Sequence, residues 1–231
     1  MTAFLTVRDV MTTEVVTVFR GTTFKQAVTL LAGRRISAAP VLDGEGRVIG
    51  VVSTADLVPK EAYQGRPPKL RRLMLHPEAL AEIEKSAGST VGELMTAPAV
   101  TVGPEASLSE AARLMLRHHV KRLPVVARSG RPIGIVSRSD LLTAFLRSDE
   151  DIAAAIEAEL AEHLPVLREG EIEVSVEQGM AVLDGRAPDA ATAAIATRLA
   201  RGVDGVVSVV DHLSAPDRPG APQPPQVGPQ F

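Results

Sequence analysis

The chain has 231 residues, a net charge of −3 and no cysteine, which excludes a disulfide framework, a thiol nucleophile and thiolate metal ligands. Aromatic residues make up only 3% of the sequence, so a hydrophobic core must be built from aliphatic side chains. No apolar run approaches the roughly 18 residues of a membrane-spanning helix, and the N-terminus lacks a signal-peptide pattern, so we predict a cytoplasmic protein.

Charge is distributed unevenly along the chain. Residues 1–148 carry 20 basic and 13 acidic side chains, a balance of +7, whereas residues 149–214 carry 4 and 14, a balance of −10. A basic front half favours an anionic ligand. An acidic back half disfavours anionic lipid headgroups and therefore argues against a membrane role.

The first predicted unit, residues 1–58, has the order strand, helix, strand, strand, helix. A turn at residues 9–12 precedes the apolar strand 15–18, and Thr22 or Thr23 caps a helix with apolar residues at helical spacing. Two strands then flank a glycine-containing turn in AAPVLDGEGRVIGVVS, and Ser53 with Asp56 opens the last helix.

The second predicted unit, residues 91–147, repeats this order at a constant offset of 84 residues. The offset relates Pro40 to Pro124, and the pair Ser53 and Asp56 to Ser137 and Asp140. A constant offset without slippage indicates an internal duplication. In this copy Ser107 caps the helix LSEAARLMLRHH, and we expect the closing helix to begin near Leu141.

Residues 59–90 form a predicted connector that is rich in proline and basic residues and could carry a helix over residues 80–85. Its basic cluster is short and has only Tyr63 to stack on a base, so no nucleic-acid partner is predicted.

A change in character marks residues 149–214 as a further domain. The pattern predicts an acidic helix capped by Asp149, strands in IEVSVEQ and MAVLDGRA, an alanine-rich helix from Asp189 to Arg201 and a strand over residues 206–213. The tail, residues 215–231, is rich in proline, glycine and glutamine, and we expect it to be disordered.

Each predicted unit resembles the cystathionine-β-synthase (CBS) domain. The segments that carry the resemblance are the VMT and LMT turns, the VTV strands, the AAPVL and RLPVV strands, and the closing GVVSTADL and GIVSRSDL. Two such units in tandem resemble a Bateman module. Residues 149–214, with VLDG at 182–185 and GVVSV at 205–209, resemble a BON domain. The resemblance implies an α+β fold, in which two pseudo-symmetric CBS units pack as a Bateman module and a small αββαβ BON-like domain follows.

The two Ser–x–x–Asp motifs have an ordinary explanation as helix caps, and one copy alone would favour it. The resemblance instead implies that Ser53, Asp56, Ser137 and Asp140 hold the ribose and phosphate of an adenosine-containing nucleotide. AMP, ADP or ATP are expected ahead of NAD or S-adenosylmethionine. The full set of predicted ligand-binding residues is Thr17, Val18, Ala39, Pro40, Ser53, Asp56, Thr101, Val102, Lys121, Arg122, Leu123, Pro124, Ser137, Arg138 and Asp140.

We expect the two predicted pockets to differ in charge. Lys121, Arg122 and Arg138 surround the second motif, whereas Ser37 and Ala38 replace the first two cations in the first repeat. Since cations are the natural partners of phosphate, the Asp140 pocket should be the better anion site. The alternative is that at least one of these cations is exposed to solvent and does not contact the ligand.

No catalytic set can be identified, so no enzyme is predicted. The adjacent His118 and His119 point about 100° apart on a helix and do not chelate together, so no metal is predicted. The leading interpretation is a ligand-sensing protein that relays nucleotide binding through the BON-like domain to an unknown protein partner. The resemblance to tandem CBS proteins implies that it is a homodimer. The alternatives are a ligand-free scaffold and a membrane-peripheral protein.

Overall fold

The computed structural model describes residues 4–62, 88–168 and 171–216. It divides into two compact units: the repeat unit, Thr6–Leu141, and the C-terminal unit, Met1–Leu5 together with Leu142–Phe231. Within the described ranges, none of the helices combines the length and hydrophobicity needed to cross a bilayer.

The first repeat contains α1 (Val7–Val10), β1 (Val18–Phe19), α2 (Phe24–Gly33), β2 (Ala38–Leu42), β3 (Val48–Ser53) and α3 (Thr54–Ala62). The strands form a sheet in the order β1-β2-β3, parallel between β1 and β2 and antiparallel between β2 and β3. Thr23 is the cap of α2, in a capping box with Gln26. The predicted strand 15–18 is shorter than expected and lies at Val18–Phe19, because only these two residues pair with β2.

The second repeat contains α4 (Val91–Leu94), α5 (Leu108–Arg117), β4 (Arg122–Val126), β5 (Pro132–Ser137) and α6 (Arg138–Leu141). A 3₁₀ helix, Leu142–Leu146, belongs to the C-terminal unit. The predicted first strand is reduced to one bridge, between Val102 and Val125. Gly103 stands 84 positions after Phe19, and glycine has a low strand propensity. The closing helix begins at Arg138 rather than near Leu141.

The helices α2 and α5 end in the same way. The amide of Ile36 donates to the carbonyl of Leu31 (3.0 Å), and the amide of Val120 donates to that of Met115 (3.0 Å). Arg35 and His119 adopt the left-handed conformation, with φ of 53° and 54°. These are Schellman motifs in which a non-glycine residue holds the left-handed position.

The two repeats interlock through reciprocal exchanges. The amide of Thr12 donates to the carbonyl of Ile135 (3.0 Å), and the equivalent Thr96 amide donates to the carbonyl of Val51 (2.9 Å). Leu94 of α4 is buried in one core cluster with first-repeat residues such as Leu31. Each repeat therefore completes its packing with the N-terminal segment of the other.

The C-terminal unit contains α7 (Asp149–His163), β6 (Ile172–Glu177), β7 (Met180–Arg186), α8 (Ala190–Gly202) and β8 (Ser208–Ser214), in the predicted αββαβ order. Its sheet has the order β6-β7-β8, antiparallel and then parallel. Both helices contribute to the core, which includes Ile152, Ile156, Leu160, Ala181, Leu183, Ala196 and Ala200.

The cap of α7 differs from the prediction. Ser148 accepts a hydrogen bond from the amide of Asp151 (3.1 Å) and is the N-cap. Asp149 instead accepts from the amides of Gln178 (2.8 Å) and Gly179 (2.9 Å), and so holds the turn between β6 and β7. The expected helix at residues 80–85 and most of the expected disordered tail lie outside the described residues.

Candidate functional site

The first Ser–x–x–Asp motif lies at the junction of β3 and α3. Asp56 Oδ2 accepts hydrogen bonds from the amide (2.8 Å) and the hydroxyl (2.6 Å) of Ser53. Its Oδ1 accepts from the hydroxyl of Thr96 (3.1 Å), a residue of the other repeat. Asp56 is only 7% exposed, so this carboxylate is held inside the protein by both repeats.

The second motif repeats this arrangement at the junction of β5 and α6. Asp140 Oδ2 accepts from the amide (2.7 Å) and the hydroxyl (2.8 Å) of Ser137. Unlike Asp56, Asp140 is only partly buried. Because α6 has four residues, its dipole contributes little here, and positive charge must come from side chains.

The side chains of the three predicted cations of the second motif do not all lie beside that motif. Arg122 pairs with Ser137 across β4 and β5, but its Nη2 donates to the hydroxyl of Ser37 in the first repeat. The Ser37 carbonyl accepts the amide of Thr54 (2.9 Å), the residue that follows Ser53. The Arg122 side chain thus begins beside one motif and ends beside the other.

Arg138 and Lys121 remain at the edge of the second motif. The Arg138 amide donates to the Lys121 carbonyl (3.1 Å), and its Nη2 donates to the carbonyl of Val120 (3.1 Å). Both side chains are exposed. The guanidinium of Arg138 therefore bonds to its own repeat and not across to the first one.

Several predicted ligand-binding residues belong to the core. Val18, Ala39, Val102 and Leu123 are at most 4% exposed. Pro40 and Pro124 are also buried, while Thr17 and Thr101 are partly buried. Their contact with a ligand stays a prediction, and it would involve backbone atoms more readily than side chains.

Family models for the CBS domain match residues 7–61 and 91–147, and a model for the BON domain matches residues 148–216. The CBS domain-containing protein YhcV of Bacillus subtilis is 30% identical over 135 residues, covering 58% of this chain and 81% of YhcV. The chain belongs to the CBS domain-containing proteins. It carries a CBS pair followed by a BON domain.

The chloroplastic CBS domain-containing protein CBSX2 of Arabidopsis thaliana is 32% identical over 134 residues, which cover 54% of this chain and 56% of CBSX2. A crystal structure of CBSX2 in complex with AMP superposes with a TM-score of 0.52 at 34% identity, covering 61% of this chain and 96% of that one. The α+β fold of the CBS pair is thereby confirmed.

Sequence reasoning missed two residues of the paired motifs, Thr96 and Ser37. Thr96 was visible as the threonine of the LMT turn, the repeat partner of Thr12. Its hydroxyl donates to Asp56 of the other CBS domain. The signal that could have drawn attention to it is the duplication itself.

Among the described residues of the BON domain, one group has ligand atoms close enough to hold a metal ion. Glu159, Glu162 and His163 bring theirs within 4.8 Å of one another. His163 Nδ1 lies 3.3 Å from Glu159 Oε1. Two of the three residues are exposed, and an acidic helix produces this i, i+3, i+4 spacing without any ion.

Proposed function

We propose that the CBS pair is a sensor for an adenosine-containing nucleotide, with the Asp140 pocket as the main site and the Asp56 pocket as a weaker one. The observation that carries this proposal is the pair of matched Ser–x–x–Asp motifs linked by Arg122. The complex of CBSX2 with AMP supports it, because that protein shares the CBS-pair fold at 34% identity.

The chemistry of the second motif suits a nucleoside phosphate. The Asp140 carboxylate, which accepts two hydrogen bonds from Ser137, is an acceptor group of the kind to which a ribose hydroxyl donates. Lys121 and Arg138 supply positive charge for a phosphate at this motif, and Arg122, whose guanidinium bonds to Ser37, supplies positive charge between the two motifs. Guanidinium groups suit phosphate because they donate two parallel hydrogen bonds.

Calorimetric titration of the full chain tests this proposal, with AMP, ADP, ATP, NAD and S-adenosylmethionine as the probes. We expect binding of at least one adenine nucleotide, and a loss of about tenfold or more in Asp140→Asn, the usual effect of removing a hydrogen bond to a charged group. Asp56→Asn should lose less. Equal losses of affinity in both variants would contradict the difference between the pockets. If the chain binds none of the probes, the proposal is wrong and the ligand-free scaffold becomes the favoured interpretation.

Assembly as a homodimer is part of the same proposal. A groove of about 380 Å³ between α2 and α3 is lined almost entirely by apolar side chains. Val28 and Val58 at this groove are 39% and 60% exposed, so a second copy of the chain would bury apolar surface here. Val58→Glu should reduce the mass measured by light scattering, whereas Thr29→Glu, on the same helix but outside the groove lining, should not.

The BON domain is proposed to pass the nucleotide-bound state to a protein partner. Its balance of −10 favours a basic partner surface over an anionic membrane. Relay requires that the nucleotide favour one state of the protein over another. Hydrogen exchange of residues 148–216 with and without AMP measures this directly. Unchanged exchange under saturating AMP would exclude a relay through this domain.

A further inference from the structure

The first Ser–x–x–Asp motif is closed by a residue that the second repeat contributes. Both oxygens of the Asp56 carboxylate accept hydrogen bonds within the protein, Oδ2 from Ser53 and Oδ1 from Thr96. A ribose hydroxyl that approached Asp56 would have to reach a carboxylate that is 7% exposed and already bonded on both sides.

The backbone fixes the position of the Thr96 hydroxyl. The Thr96 amide donates to the Val51 carbonyl (2.9 Å), and the Val51 amide donates to the Thr96 carbonyl (3.0 Å). This two-bond bridge holds Thr96 on β3, two residues before the Ser53 that begins the motif. The hydroxyl therefore cannot leave Asp56 by a motion of the loop alone; a side-chain rotation or a broken bridge is required.

We propose that Thr96 is a latch on the first pocket, whose hydroxyl competes with the ribose for Asp56. This inference rests on the proposed nucleotide-binding function. With the latch closed, nucleotide enters the Asp140 pocket first, and the Asp56 pocket fills only when the bond between Thr96 and Asp56 is broken. The two pockets of the CBS pair then respond to different nucleotide concentrations.

Calorimetric titration of the full chain with AMP tests the latch through Thr96→Val, which removes the hydroxyl and preserves the shape of the side chain. We expect the wild-type protein to show one tight and one weak binding event. The weak event should strengthen about tenfold in the variant, the usual effect of one hydrogen bond to a charged group. The tight event should be unchanged.

Further variants locate the effect. Thr96→Ser keeps the hydroxyl and should titrate as wild type. Thr96→Val combined with Asp56→Asn should lose the strengthened event, which would assign it to Asp56. Thr12→Val is the matched control, because Thr12 forms the equivalent backbone bridge, with Ile135, in the other repeat. If valine at position 96 prevents folding, Thr96→Ala should produce the same gain.

The latch and the nucleotide-binding function fail in different ways. If the wild-type chain binds AMP while Thr96→Val and Thr96→Ala titrate identically to it, the latch is wrong and the function stands. If neither the wild-type chain nor any variant binds AMP, ADP or ATP, both are wrong. Binding that appears only in Thr96→Val would contradict the order of filling, because the Asp140 pocket of the wild-type chain would then bind nothing.

Discussion

A Cβ atom built on Gly50 would lie 2.6 Å from Sδ of Met95, which belongs to the other repeat. The same relationship holds between Gly134 and Met11, because Gly134 stands 84 positions after Gly50 and Met11 stands 84 positions before Met95. Each methionine of an LMT or VMT turn thus packs on a strand of the opposite CBS domain at the glycine, where no side chain occupies the space. Glycine at this position permits the exchange of ends that joins the two domains.

Gly50→Ala should therefore destabilise the repeat unit. The added methyl would also lie 3.0 Å from the Thr96 carbonyl oxygen, a backbone atom that cannot move aside easily. We expect a loss of about 1–3 kcal/mol in the free energy of unfolding, as for other overpacked sites. Urea denaturation measures it. Gly103→Ala is the control, because a Cβ at Gly103 meets nothing within 4 Å, and equal stability of the two variants would contradict the close approach.

Glycine should relieve the backbone strain of the left-handed residues that end α2 and α5. Arg35 and His119 have φ of 53° and 54°, a conformation that costs an L-residue about 1–2 kcal/mol. Substitution by glycine removes this cost, and the flexibility of glycine in the unfolded chain offsets part of the resulting gain in stability. We expect Arg35→Gly and His119→Gly to raise the midpoint of thermal unfolding. Arg34→Gly, in a right-handed conformation, should lower it.

Arg122 should contribute to phosphate binding more than to nucleoside binding. Its guanidinium bonds to Ser37 at one motif while its backbone pairs with Ser137 at the other. We expect Arg122→Ala to weaken AMP binding by about tenfold and adenosine binding by much less, because adenosine lacks the charge that Arg122 would neutralise. Titration with both ligands gives the ratio.

Arg117→Ala is the matched control for this prediction, since Arg117 is an exposed arginine in the last turn of α5. It should leave both affinities unchanged. An equal loss of AMP and adenosine in Arg122→Ala would show a structural role instead of phosphate recognition.

The BON domain should lose stability in acid through Asp211. The hydrogen bond from the Thr197 hydroxyl (2.6 Å) and that from the Leu213 amide (2.9 Å) lower the pKa of this carboxyl from its ordinary value of 3.8. A group whose folded pKa is lowered stabilises the protein above its unfolded pKa, and that stabilisation is lost as pH falls through the folded value. Thr197→Val should reduce this loss as pH falls below 3.8, since the bond is absent at every pH.

Asp204 provides a contrast of opposite sign. Burial raises the pKa of its carboxyl above 3.8, against the lowering effects of the Leu5 amide and Arg147. The contribution of Asp204 to the free energy of unfolding therefore falls as pH rises from 3.8 through the raised pKa of the folded state. Asp204→Asn should gain stability relative to wild type over that range, measured by unfolding at fixed urea. A gain that is independent of pH would contradict the role of ionisation.

Local patterns in the sequence determined much of this protein. The offset of 84 residues predicted the duplication. The predicted order of strands and helices is confirmed for the BON domain and for the first repeat, which adds the short helix α1, whereas the first strand of the second repeat is reduced to one bridge. The cap Ser107 is confirmed, and of the two candidates Thr22 and Thr23 the structure selects Thr23, because a cap bonds to an amide three residues away. Asp149 was misassigned as a cap because its bonds reach about 30 residues along the chain.

Only the tertiary structure decided how the two motifs differ. The bond from Thr96 to Asp56 spans 40 residues, and that from Arg122 to Ser37 spans 85. Composition and periodicity describe neighbours along a helix or strand, and they do not specify which distant turn packs on which strand. That choice follows from the exchange of N-terminal segments between the repeats, where Gly50 and Gly134 leave space for the methionine of the other repeat.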